Sequence, residues 1–69
     1  MNDLTDKQKE CLIITNLFIK HKGYSPTVRE IAKEMHISSP ATVYYHLTNL
    51  KEKGYITWEE KESRTIKLK

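Results

Sequence analysis

The sequence predicts a mainly α domain that ends in a small β-hairpin, with elements in the order α-α-α-β-β. Three segments begin with helix-capping residues and continue with apolar residues at helical spacing. After Gly54 the apolar residues instead alternate with polar ones, which indicates strands. A chain of 69 residues has enough apolar side chains for one core. We therefore expect a single domain over residues 1–69.

The first two helices are predicted over residues 6–22 and 28–35. Each helix start has a Thr whose hydroxyl can accept from the amide three residues later. The Gln or Glu at that later position can in turn accept from the Thr amide. Gly23 provides the stop after the first helix, because glycine readily adopts a left-handed backbone. The two capping pairs are Thr5 with Gln8 and Thr27 with Glu30.

The third helix is predicted over residues 40–53, since Ser39 is a good N-cap and Pro40 suits the first helical position. Residues 55–69 then read as a β-hairpin. A hairpin is marginal alone in water, so its apolar side is expected to lie over the helices. That side comprises Ile56, Trp58, Ile66 and Leu68.

Residues 36–39 are a connection of the length found in a helix-turn-helix, which predicts that helices 2 and 3 cross steeply. Opposite its apolar face, helix 3 carries an uncharged strip over its first two turns. Small and aromatic side chains in that position suit insertion into the DNA major groove. For Tyr44, at the edge of the apolar face, and also for Tyr45, packing against the hairpin or helix 2 is the alternative. The predicted base-reading residues are Ser39, Ala41, Thr42, Tyr44 and Tyr45.

Basic residues lie on the elements around this strip, within a chain of net charge +3. A mildly basic balance permits a polyanionic partner without requiring one. Taken singly, several of these residues have acidic neighbours at helical spacing, so solvated ion pairs are the alternative. The predicted phosphate-binding residues are Arg29, Lys33, Thr48, Lys51, Lys53, Arg64 and Lys67.

No arrangement of nucleophile, base and acid is recognisable, so the chain is not expected to be an enzyme. We expect no metal, because Cys11 and the three histidines lack metal-ligand spacing, and no cofactor or small-molecule ligand, because no motif for one is evident. Neither an export signal nor a membrane helix is evident, which favours the cytoplasm. Cys11 is interpreted as an inert buried thiol.

Four segments resemble the winged helix-turn-helix domain of LexA, the SOS-response repressor of bacteria. "LTDKQKE" is similar to the family's LT-x-x-Q-x-E, and "GYSPTVREIA" to G-x-x-P-T-x-x-E-I-A. "SSPATVYYHLTNLKEKGYI" is similar to its recognition helix, and "SRTIKL" to its wing. The resemblance implies transcriptional repression and base reading by the same helix 3 residues.

The chain departs from the family pattern at His36, where a glycine is usual. A left-handed backbone there would cost about 1 kcal/mol, or the turn differs. The wing also carries three negative charges, on Glu59, Glu60 and Glu62, which argues against a close approach of the wing to DNA phosphates. The Tyr44–Tyr45 pair leaves the operator sequence open.

We expect double-stranded DNA of the bacterial nucleoid as the partner, with a palindromic operator, because specific repression usually needs two half-sites. We expect a monomer in solution that pairs on DNA, because one small domain offers a limited interface. The chain lacks the family's self-cleaving domain and is either a fragment of a longer repressor or a stand-alone relative. The alternatives are a protein-binding winged helix, docking through the tyrosines or through Ile13 with Leu17, and a replication-initiator domain.

Overall fold

The computed structural model describes residues 4–69 and confirms the predicted class, with three helices followed by a two-stranded antiparallel hairpin. Residues 1–3 of the predicted domain lie outside the described residues. The helices pack on one another, and α3 also contacts the first strand. In chain order the elements are α1 (Asp6–Lys22), α2 (Val28–Glu34), α3 (Pro40–Glu52), β1 (Ile56–Thr57) and β2 (Lys67–Leu68).

Both predicted capping boxes are present. The Gln8 amide donates to the Thr5 hydroxyl at 3.1 Å while the Gln8 side chain accepts from the Thr5 amide at 3.1 Å. Thr27 and Glu30 form the same reciprocal pair at the start of α2, at 3.2 and 2.9 Å. Each pair satisfies two amides that a helix start otherwise leaves without partners. Local sequence therefore fixes where α1 and α2 begin.

Of the two possibilities for His36, a left-handed backbone or a different turn, the structure has the left-handed backbone, with φ 59°. The Ile37 amide donates to the Ala32 carbonyl, and the His36 amide donates to the Lys33 carbonyl. This is the Schellman pattern that closes many helices. The same pattern closes α3, where Gly54 occupies the left-handed position at φ 87°. His36 thus takes a position suited to glycine, at a cost of about 1 kcal/mol.

The core lies between the three helices and the hairpin. Cys11 from α1 is fully buried, as expected, and burial raises the pKa of its thiol to about 11. The thiol therefore stays protonated and unreactive at neutral pH. The other buried apolar residues are Ile31, Ala32, Met35, Val43, Leu47, Leu50, Ile56 and Ile66.

The hairpin differs from its prediction in two respects. Its strands are only two residues long, with Ile56 opposite Leu68 and Thr57 opposite Lys67. Ile56 and Ile66 are buried against the helices as predicted, but Leu68 is 41% exposed. Leu68 borders an open groove with Ile19 instead of entering the core. The alternating pattern correctly predicted which side of the hairpin Ile56 and Ile66 occupy. It did not predict that the helices no longer cover this side at Leu68.

Candidate nucleic-acid interface

The outward side of α3 is not covered by the hairpin. Val43, Leu47 and Leu50 are buried on the inner side, which fixes the rotation of the helix about its axis. Residues on the opposite side therefore face solvent. Tyr45 is 64% exposed, and its ring contacts that of the neighbouring His46, with centroids 5.8 Å apart. We call the exposed residues Ala41, Thr42 and Tyr45 the open strip.

The start of α3 differs from those of α1 and α2. Ser39 is the N-cap, but its side chain makes no capping hydrogen bond. Pro40 has no amide to satisfy and fixes the first helical position. The Thr42 amide donates to the Ser39 carbonyl at 3.2 Å. The exposed Ser39 hydroxyl does not serve its own helix, unlike those of Thr5 and Thr27, so it can bond to an external group.

The wing side of α3 contacts the residues after β1. The Tyr44 ring lies edge-on to Trp58 with centroids 6.0 Å apart, and its hydroxyl donates to Glu60 Oε1 at 3.3 Å. The Lys51 Nζ donates to Glu60 Oε2 at 3.0 Å and lies 4.4 Å from the Trp58 ring centroid. The bond from Lys51 is the main reason that the pKa of Glu60 is lowered. We call Tyr44, Lys51, Trp58 and Glu60 the wing-side cluster.

Arg64 anchors the other end of the wing to α2. Its guanidinium donates to both carboxylate oxygens of Glu30, at 3.0 and 2.9 Å, and to the Ser25 carbonyl at 3.1 Å. It also lies 5.0 Å from the Tyr24 ring centroid. These contacts hold Arg64 at a left-handed φ of 58°. The bond from Arg64 is the largest cause of the lowered pKa of Glu30, and Glu30 in turn raises the pKa of Arg64.

The remaining predicted phosphate-binding residues lie on several elements. Arg29 and Lys33 are exposed on α2, and Lys53 and Lys67 are exposed after α3 and on β2. The Thr48 hydroxyl oxygen is buried, with no hydrogen-bond partner among the described residues. A phosphate contact by Thr48 would therefore need another side-chain rotamer.

Four residues hold this interface together in a way that was not predicted from the sequence. Trp58 and Glu60 hold the wing side of α3, while Glu30 binds Arg64 and the buried Ser25 Oγ accepts from the Ile66 amide at 3.0 Å. The acidic composition of the wing was a signal, but it was interpreted only as unfavourable for phosphate. Nothing in the local sequence pairs Ser25 with Ile66, since they are 41 positions apart.

A cleft of about 180 Å³ lies between α3 and the wing, and its walls include Tyr44, Trp58 and Glu60. Within residues 4–69, no group of three or more His, Cys, Asp or Glu side chains is placed to hold a metal ion. None of the helices described has the length and apolar character needed to cross a membrane.

Comparison with known families decides the relationship. The model of the LexA DNA binding domain matches residues 1–65. The chain belongs to this family. LexA repressors of Bacillus mycoides (strain KBAB4) and Bacillus thuringiensis (strain Al Hakam) are 40% identical to it over 68 residues, which are 99% of the chain and 33% of each relative. This LexA-type domain therefore spans about a third of the length of the repressors it matches.

Proposed function

We propose that the chain binds double-stranded DNA in a sequence-specific manner and acts as a transcriptional repressor of the LexA type. The observation that carries the proposal is the open strip, which is exposed on the second helix of a helix-turn-helix unit and bears no charge. An uncharged strip can approach base edges closely, because it brings no ion that must be desolvated. Membership of the LexA DNA-binding-domain family supports the same function.

In the proposed complex the start of α3 enters the major groove. The Ala41 methyl group suits contact with a thymine methyl, and the hydroxyls of Ser39 and Thr42 can donate to or accept from base edges. Tyr45 extends furthest from the helix and reaches a base edge or a phosphate. Tyr44 contributes from the edge of the strip if its hydroxyl leaves Glu60.

Phosphate contacts are proposed for basic residues on three sides of α3. Arg29 and Lys33 approach the backbone from α2, while Lys53 and Lys67 approach it from the end of α3 and from β2. Lys51 joins them if it exchanges Glu60 for phosphate. Arg64 and Thr48, also predicted phosphate contacts, need rearrangement first, because one is paired with Glu30 and the other has a buried hydroxyl.

We further propose a palindromic operator and a monomer that pairs on DNA in the cytoplasm. One domain of this size covers roughly 600–1,000 Å² of DNA, which gives modest affinity and specificity. Two copies on adjacent half-sites would add their contacts, and the symmetry of the operator would match that of the pair.

The proposal is tested by selecting binding duplexes from a random library and titrating the chosen duplex against a shuffled one at two salt concentrations. We expect a preference for the selected duplex of at least about 10³-fold. Equal affinity for the selected and shuffled duplexes would contradict the proposal.

A matched pair of variants locates the phosphate contacts. Lys33→Ala and Lys20→Ala each remove one exposed positive charge, but only Lys33 lies on α2, within the helix-turn-helix unit. Lys33→Ala should reduce the slope of log affinity against log salt by about 1, whereas Lys20→Ala should leave it nearly unchanged. Equal slopes for the two variants would remove Lys33 from the interface.

A protein-binding module is the second candidate, and the exposure of two apolar residues on α1 favours it. Ile13 is 57% and Leu17 47% exposed, one helical turn apart. Tyr45→Lys separates the two functions, because an added positive charge preserves nonspecific DNA affinity but weakens an apolar protein contact. Nonspecific DNA affinity that falls in this variant would count against α3 as the DNA-facing element.

A further inference from the structure

We propose that Glu60 is an internal substitute for DNA phosphate, which holds Lys51 and Tyr44 on the wing and must be displaced before either reaches the DNA backbone. This inference rests on the proposed DNA-binding function. It makes Glu60 a positioning residue for two DNA-facing side chains.

The chemistry of the contact supports the substitution. The Glu60 carboxylate accepts from the Lys51 ammonium at 3.0 Å and from the Tyr44 hydroxyl at 3.3 Å, one on each oxygen. A lysine ammonium and a tyrosine hydroxyl are donors that proteins commonly direct to phosphate oxygens. An anion with two oxygens therefore already occupies the position that a phosphate would take between these donors.

Accessibility makes the exchange feasible. The Glu60 side chain is 60% exposed, so the carboxylate can rotate into water without leaving a buried charge. Exposed ion pairs of this kind are weak and screened by salt. Lys51 and Tyr44 both lie on the wing side of α3, next to the open strip. When the open strip lies in the major groove, the phosphates that border the groove come close to both side chains.

Trp58 gives the exchange a direction. Its ring lies beneath the Lys51 Nζ, 4.4 Å from ring centroid to nitrogen, and edge-on to the Tyr44 ring with centroids 6.0 Å apart, so it contacts both donors. Attraction of the ammonium to the ring does not depend on Glu60. When Glu60 leaves, the two donors are expected to stay on the DNA side of α3 and accept phosphate there.

The wing supplies matched controls. Glu59 and Glu62 lie beside Glu60 and line the same cleft, but the hydrogen bonds found for them involve their backbone groups. Glu59→Gln and Glu62→Gln therefore remove the same charge as Glu60→Gln without releasing a donor on α3. All three variants reduce the general repulsion of DNA by the same charge. Only Glu60→Gln also tests whether Lys51 and Tyr44 exchange Glu60 for phosphate.

The experiment measures affinity for the selected and shuffled duplexes over a range of salt concentrations, with folding checked by circular dichroism. We expect Glu60→Gln to raise affinity at low salt about five- to tenfold and to steepen the salt slope by up to about 1, as one phosphate contact is gained without loss of an ion pair. Glu59→Gln and Glu62→Gln should raise affinity by about twofold or less.

Lys51→Met provides the second half of a double-mutant cycle, since methionine keeps an apolar stem over Trp58 without a charge. In that background Glu60→Gln should have no more effect than Glu59→Gln. Trp58 is the chain's one tryptophan, so its emission reports on the cluster directly. DNA binding should change the emission of the wild-type chain more than that of the Glu60→Gln variant.

The outcomes separate the two proposals. If the wild-type chain binds a selected duplex but Glu60→Gln behaves like its two controls, the phosphate-substitute inference is wrong and the DNA-binding function stands. If the wild-type chain shows no affinity for any duplex, both are wrong. Equal effects of Glu60→Gln with Lys51 present and absent would likewise overturn the inference.

Discussion

The two sides of α3 differ in what their side chains contact. On the open strip Tyr45 is 64% exposed and contacts only its neighbour His46 through its ring, as far as the described contacts show. On the wing side Tyr44 is 46% exposed and is bound to both Trp58 and Glu60. Two adjacent tyrosines therefore have different surroundings, because a helix turns about 100° between them and only one faces the wing.

Exposure alone does not define a binding surface. An exposed residue without internal contacts gives up nothing when a ligand arrives, so its full contact free energy is available for binding. A residue held by an internal partner must first lose that partner. We therefore expect substitutions on the open strip to change affinity, and substitutions in the wing-side cluster to change stability as well.

The largest effect is expected for Tyr45→Ala. This variant should lower affinity for the selected duplex by about 10- to 100-fold, because a base or backbone contact is lost. Its unfolding midpoint should stay close to that of the wild-type chain, as Tyr45 supports no other element. Ile13→Ala, which removes an exposed apolar side chain from α1, is the control and should leave affinity unchanged. A large loss of stability in Tyr45→Ala would end the distinction between the two sides.

Tyr44→Ala is expected to destabilise the fold by about 0.5–1.5 kcal/mol through loss of the edge-on contact with Trp58. Tyr44→Phe keeps the ring and loses only the bond to Glu60, so it should be closer to the wild-type chain. Urea unfolding followed by Trp58 fluorescence measures both variants. Equal stability of Tyr44→Ala and the wild-type chain would show that the wing-side contact is not formed in solution.

Arg64→Ala should lower the melting temperature by about a few degrees, because it removes the bidentate pair with Glu30 that fastens the wing to α2. Melting at low and high salt measures the change. In a Glu30→Gln background the same substitution should have less effect, since the charged partner is already gone. A variant that loses DNA affinity but keeps its melting temperature would instead assign Arg64 to phosphate.

The smallest effect concerns acid pH. The pKa of Glu30 and that of Glu60 are both lowered from the ordinary value of 4.5, mainly by bonds from Arg64 and Lys51 respectively. A carboxyl with a lowered folded-state pKa stabilises the fold above about pH 4.5 and loses that contribution as the pH falls through the lowered value. Both groups are exposed, so the change should be slight.

The urea midpoint measured between pH 6 and pH 3 tests this sign, using about ten pH values at constant ionic strength. Replacing both residues, as Glu30→Gln with Glu60→Gln, should flatten the acid limb relative to the wild-type chain. An unchanged acid limb would show that neither ion pair persists in solution.

Much of the fold was predictable because its signals are local. The capping pairs that begin α1 and α2 join residues three apart, and glycine at position 23 ends α1 with φ 81°. The predicted exposure of Ala41, Thr42 and Tyr45 followed from helical periodicity and agrees with the structure. Their contacts with bases stay a prediction. Leu68 was placed wrongly, since alternation gives the side of a strand but not the extent of its cover.

The ion pairs of the wing were not predictable. Arg64 and Glu30 are 34 positions apart, and Glu60 lies nine positions after Lys51 in another element. Their charges were visible in the sequence, but each basic side chain had several acidic residues to choose from. Pairing depends on where the loop of residues 58–66 comes to lie on the helices, and no local periodicity specifies that.

The sequence by itself determined where the helices begin, which side of each faces the core and which strip of α3 is left bare, because caps and periodicity act between residues a few positions apart. Tertiary structure decided that Lys51 and Arg64 are held by Glu60 and Glu30 within the protein. Electrostatic pairing depends on distances of a few ångströms between elements, and those distances exist only once the chain has folded.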